Sequence, residues 1–192
     1  MKILAGAVGD PATAPQVTGF IESPFTPLVH QVAEQLLSDV DVTGLGVVLA
    51  SELGDSVTTD LSSRLLTGGR PANALLFMQA TSNAVLGRIS IEHGITGPLL
   101  SISPGEHPGG GPLDVAEVLL ADLDCVLVLG VELTGTPRTD AVHRARGTTP
   151  PATDLAAGLL VGHGDGLPQP HPPGVAGLHA LATTITAQGE RR

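Results

Sequence analysis

The apolar positions along the chain fall into short blocks whose spacing alternates between that of a strand and that of a helix. Residues 1–8 form a short apolar run that predicts a strand, followed by a connection containing Pro, Gly and Thr to about residue 27. From 28 to 37 the apolar residues Leu28, Val29, Val32, Ala33, Leu36 and Leu37 recur at helical spacing, with Gln31, Glu34 and Gln35 on the other side. This pattern predicts an amphipathic helix lying on a sheet. Residues 44–50 (GLGVVLA) are continuous and rich in Val and Leu, as a central strand buried on both faces is.

Residues 51–70 are polar and punctuated by glycine, with a short helix expected over 58–66. The stretch 73–91 (NALLFMQATSNAVLGRISI) has the length and residue types of one helix, and with so few charges nearly its whole circumference is expected to be buried. A strand is predicted at 98–103 (PLLSIS). A turn rich in Gly and Pro follows, then a helix over 113–120 and a strand over 124–130 (DCVLVLG). Strand, glycine turn, helix and strand in that order make a crossover unit, which implies right-handed connections, a parallel sheet and a layered α/β core. Residues 154–161 (DLAAGLLV) predict another strand, 162–174 a linker of Gly, His and Pro, and 175–188 a C-terminal helix. A chain of 192 residues suits one domain over 1–192, with its core at about 28–161.

Composition narrows the function. The apolar fraction of 42% is almost all Ala, Val, Leu and Ile, so the core is built from small aliphatic groups. A net charge of -10 with nine scattered basic residues argues against nucleic acid or an anionic membrane as partner, since both need clustered Lys and Arg. The N-terminus is broken by Gly6, Gly9, Asp10 and Pro11 and lacks the apolar core of a signal peptide. No apolar run approaches the ~20 residues of a membrane span, so a soluble cytoplasmic protein is expected.

Candidate chemistry is sparse. Gly44 and the segment 105–111 lack phosphate-loop spacing, and no cofactor is expected. His163, Asp165 and His171 fall in the Gly/Pro linker, where a solvated loop is favoured over a metal site, and no metal is expected. Cys125 sits inside an apolar strand as a small hydrophobe. Ser103 ends the PLLSIS strand near the glycine turn, where the nucleophile of a strand-turn-helix enzyme often sits, but nothing singles out its general base.

The run SNAVLGRISIEHGITGPLLSIS, residues 82–103, resembles the segment of β-ketoacyl synthases that leads from a buried, asparagine-containing helix through a Gly-Pro to the strand delivering the nucleophilic cysteine. TGLGVVLAS (43–51) and DCVLVLGVEL (124–133) are similar to the strands that flank that segment. Asn83, Gly87, Ile89, Gly97 and Pro98 carry most of the likeness, through their order and spacing. The fold implied is half of a thiolase-like fold, a layered α/β/α arrangement with a mostly parallel sheet. Counted from Gly97-Pro98, the position of the nucleophilic cysteine is held by Glu106, and the half that supplies the family's histidines and lysine is not among these residues. A carboxylate cannot carry an acyl thioester.

Loss of nucleophile and base is the pattern of chain length factors in type II polyketide systems, and the PGE of residues 104–106 resembles half-length versions from aryl-polyene and highly reducing polyene pathways. The resemblance implies a non-catalytic subunit that pairs with an active ketosynthase and shapes the tunnel for the growing acyl chain. It places the partner interface at Leu99, Leu100, Ser101, Ile102 and Ser103, and the tunnel floor at Phe77, Met78 and Thr81. Acyl carrier proteins are acidic, so carrier docking is expected on the ketosynthase, reaching this chain only indirectly. The competing readings are a free-standing acyl-thioester hydrolase or acyltransferase using Ser103 with His107, and a purely structural stabiliser of the ketosynthase.

Overall fold

The computed structural model describes residues 1–38, 40–71, 73–104, 111–167, 171 and 173–189. Five strands form one sheet: β1 (Lys2–Val8), β2 (Leu45–Ala50), β3 (Leu99–Ile102), β4 (Cys125–Glu132) and β5 (Leu155–Gly162). Their spatial order is β1-β5-β4-β2-β3. β2 pairs in parallel with both β3 and β4, whereas β5 is antiparallel to both β4 and β1. Four strands therefore run one way and β5 alone runs the other, which makes the sheet mixed.

Side-chain alternation divides the core between two faces. Val47 and Leu49 of β2 and Leu127, Leu129 and Val131 of β4 point to one face. There they meet Leu28, Val32 and Leu36 of α1 (Phe25–Leu37) and Val85, Leu86 and Ile89 of α4 (Ser82–His93). Val48, Val126, Val128, Leu159 and Val161 point to the other face, covered by Leu113 and Ala116 of α5 (Pro112–Leu119) and Leu178 and Ala182 of α7 (Gly174–Gly189). Apolar residues on both faces of β2 and β4 explain their unbroken hydrophobic runs. The result is the layered α/β/α fold expected from the sequence.

The expected helix over 73–91 is two helices, α3 (Ala74–Gln79) and α4, with Thr81 between them in an extended conformation as the N-cap of α4. Thr81-Ser82-Asn83 are cap formers that compete with the helical backbone, and the Thr81 hydroxyl donates back to the Met78 carbonyl at 2.8 Å. The expectation of near-complete burial also fails, because Leu76 and Gln79 are the buried residues of α3. Gln79 is buried because its amide donates to the Gly19 carbonyl.

Two further helices differ from the sequence reading. α2 (Ser56–Thr67) starts earlier than expected, where the Asp55 carboxylate accepts from the Thr58 N–H at 3.0 Å. α6 (Pro137–Arg146) was not predicted at all. It contributes little to the core, so it lacks an apolar period, and its ends are set by Thr136 as N-cap, Pro137 in the first turn and Gly147 as a left-handed C-cap.

Candidate functional site

β3 is an outer strand of the sheet. Gly97 leads into it, and a methyl group there would run into the Leu45 carbonyl oxygen, so only glycine lets the chain enter so close to β2. The Pro98 carbonyl accepts from Val47 N–H at 2.9 Å and the Ile102 carbonyl from Ser51 N–H at 3.1 Å. Strand alternation then turns the backbone groups of Leu99 and Ser101 toward the open edge. Leu100 and Ile102 pack on the α5/α7 side, while Leu99 is 36% exposed and Ser101 is exposed. Ser103 lies just past the strand, exposed, its hydroxyl donating to the Glu52 carbonyl at 3.1 Å. The five residues expected at the interface thus lie along an unpaired edge among the described residues.

The expected tunnel residues are on the surface of this chain. Phe77 is 71% exposed and Met78 64%, and Thr81 is exposed. Phe20, Leu75, Met78, Gly87 and Ile91 line a shallow groove of about 560 Å³, with Arg88 and Glu92 beside them. Asn83, expected in a buried helix, is exposed on the first turn of α4. α4 packs against β3, so the helix bearing Ile91 flanks the open edge.

A second site lies where β4 ends, and sequence reasoning missed it. Glu132, Glu52, His143, Thr153, Leu155 and Val175 are among the residues lining a pocket of about 550 Å³ there. The Glu132 carboxylate accepts from the backbone N–H of Glu52, and the Glu52 carboxylate is paired with the Arg146 guanidinium. Burial, with the charge of Glu52 adding to it, pushes Glu132 up to about 7 against the opposing Glu52 N–H and Arg146. A lone acid at the end of the run DCVLVLGVE was the only signal in the sequence.

The remaining candidates are dispersed. Glu106 and His107 lie outside the described residues. His171 is buried rather than solvated, its Nδ1 3.1 Å from Asp114 Oδ1. The other Asp114 oxygen accepts from Gly111 N–H at 2.9 Å, so one carboxylate serves both the start of α5 and the imidazole. His163 instead meets the Leu123 carbonyl at 3.0 Å, and Asp165 is exposed. Cys125 opens β4, half-buried, its thiol pushed up by burial and by the charges of Asp124 and Asp41. No helix among the described residues is long and apolar enough to cross a membrane.

No protein-family model and no curated protein matches the chain in sequence. Solved structures do match in fold. A structure of the ketosynthase ApeO in complex with its chain length factor ApeC, from Xenorhabdus doucetiae, aligns with a TM-score of 0.65 at 19% identity, over 82% of this chain and 67% of that one. The ishigamide ketosynthase/chain length factor gives 0.62 at 22%, over 85% and 50%. A β-ketoacyl synthase from Burkholderia phymatum STM815 gives 0.61 at 15%, over 80% and 45%. The chain spans about half the length of the second and third of these. It therefore has the thiolase-like α/β fold of ketosynthases and chain length factors.

Proposed function

We propose that the chain is a non-catalytic chain-length-factor subunit that pairs with an active ketosynthase along β3 and helps to wall the tunnel for the growing acyl chain. The observation that carries this reading is the open edge of β3, an apolar strand in the sheet of a fold shared with ketosynthase and chain length factor complexes. An unpaired strand with outward backbone groups is a template for pairing with another chain, and proteins seldom leave one bare. A ketosynthase strand laid antiparallel on it joins two sheets into one. Leu99, Leu100, Ser101, Ile102 and Ser103 form this interface.

The exposed apolar residues of α3 fit the same reading. Phe77 and Met78 would be costly on a free surface, and a partner that covers them removes that area from water. Together with Thr81 they form the wall against which the acyl chain ends. Condensation belongs to the partner's cysteine, since the matching position here holds Glu106. Carrier proteins dock on the ketosynthase. The pairing is tested by co-expressing tagged chain with a full-length ketosynthase from the same genome and following co-purification; a ketosynthase that purifies alone and elongates fully without this chain contradicts it.

A further inference from the structure

Three metal-ligating side chains, His30, Glu34 and Glu92, converge on the solvent side of the α1/α4 layer, with His93 beside Glu34. His30 and Glu34 stand one turn apart on α1, and Glu92 and His93 end α4, which packs against α1. His30 Nε2 lies 2.8 Å from Glu92 Oε2 and 3.7 Å from Glu34 Oε1, and Glu34 Oε1 lies 2.6 Å from His93 Nε2. The donor atoms of His30, Glu34 and Glu92 are all within 4.8 Å of one another. We propose that this cluster binds a divalent cation of the zinc class, through Nε2 of His30 and one carboxylate oxygen each of Glu34 and Glu92, with His93 held against Glu34.

Donor set and geometry agree with that class of ion. Imidazole nitrogen and carboxylate oxygen are borderline ligands that suit zinc, and three protein donors at ~2.0 to 2.2 Å from a tetrahedral ion lie roughly 3.3 Å from one another, leaving the fourth position to water. His30 Nε2 lies 2.8 Å from Glu92 and 3.7 Å from Glu34, and the three donors all lie within 4.8 Å of one another, so modest side-chain adjustments seat an ion. The His30 imidazole already turns Nε2 toward both carboxylates and is mostly buried, while the carboxylates are more open. His30 Nδ1 is buried with no hydrogen-bond partner among the described residues, so the ring is oriented by packing. Arg88 holds the other oxygen of Glu92 at 2.7 Å, which fixes that carboxylate with Oε2 toward His30. Without an ion, imidazole–carboxylate contacts hold the cluster together; an ion replaces their protons and cross-links α1 to the helix that leads into β3.

The test is calorimetric titration of zinc chloride into the full chain, stripped beforehand with chelator. Saturable one-to-one binding is expected, with a Tm that rises by about 5 to 10 °C at a hundredfold excess of free zinc over Kd. His30→Gln should weaken binding by about tenfold or more, as should Glu34→Gln, which alters a half-exposed side chain and does not threaten the fold. His163→Gln, at an exposed histidine outside the cluster, should leave binding unchanged. Absence of saturation below about 1 mM in the unmodified chain overturns the proposal, as does equal affinity in the folded His30 and Glu34 variants.

Discussion

The Ile102 carbonyl accepts a hydrogen bond from the Ser51 N–H at 3.1 Å, closing the far end of the β2–β3 pair. With the Pro98 carbonyl bonded to Val47 at the near end, the backbone of 98, 100 and 102 is committed to β2, and that of Leu99 and Ser101 is turned to the open edge.

Ser101→Pro uses this division. The ring removes an outward donor and crowds the open edge while sparing the bonds to β2, since proline is tolerated on an edge strand. The variant should keep the helix and sheet signal of the parent by circular dichroism and lose co-purification with the ketosynthase. A folded Ser101→Pro chain that still pairs would place the interface elsewhere.

Thr81→Phe should shorten the product of the co-expressed pair, and Met78→Ala should lengthen it. Both side chains are exposed in this chain, so neither change disturbs its own core, and Thr81 caps α4 without a side-chain bond to that helix. A steric effect would then arise only inside the complex. Mass spectrometry of the products reads the lengths, with complex formation checked on a sizing column. Unchanged length in both variants, with the pair intact, would exclude these residues from the tunnel.

Glu132 makes stability depend on pH. Its folded value of about 7 lies above the ordinary 4.5, so between these values the folded chain holds a proton that the unfolded chain has released. Stability should fall as pH rises from about 4.5 to 7 and level off above that. Glu132→Gln keeps an oxygen acceptor for the Glu52 N–H and removes the buried charge. It should stabilise the chain above pH 7 by on the order of 2 kcal/mol and flatten the slope, read as Tm against pH.

Thr136→Ala should cost about 1 to 2 kcal/mol. The buried Thr136 hydroxyl accepts from the Thr139 N–H at 3.1 Å and so starts α6, which carries His143 to the Glu132 pocket and Arg146 to the Glu52 carboxylate. Denaturant unfolding measures the loss, and a variant as stable as the parent would show that the cap is dispensable.

The parts of the fold legible from sequence were those in which apolar spacing and burial coincide. α1 shows its buried stripe in the order of Leu28, Val32 and Leu36, and β2 and β4 read as continuous runs because both of their faces are covered. Where helices are held by caps rather than by the core, hydrophobic spacing is silent. α6 was missed for that reason, and the Thr81 break was hidden inside an apolar stretch whose exposed half belongs to a surface. Candidate sites followed the same rule. The edge strand was visible as PLLSIS, whereas the Glu132 pocket and the His30 cluster gather residues far apart in the chain, with no local pattern to announce them. His171 was misread because a linker composition says nothing about the Asp114 carboxylate that waits for it.

The most direct measurement is the mass, by light scattering, of this chain purified after co-expression with a full-length ketosynthase from its own genome, followed by an elongation assay of each chain alone and of the pair. A stable hetero-complex is expected, with elongation present in the pair and absent from this chain alone. Two chains that elute separately, or a solitary chain that turns over an acyl thioester through Ser103, would contradict the assignment.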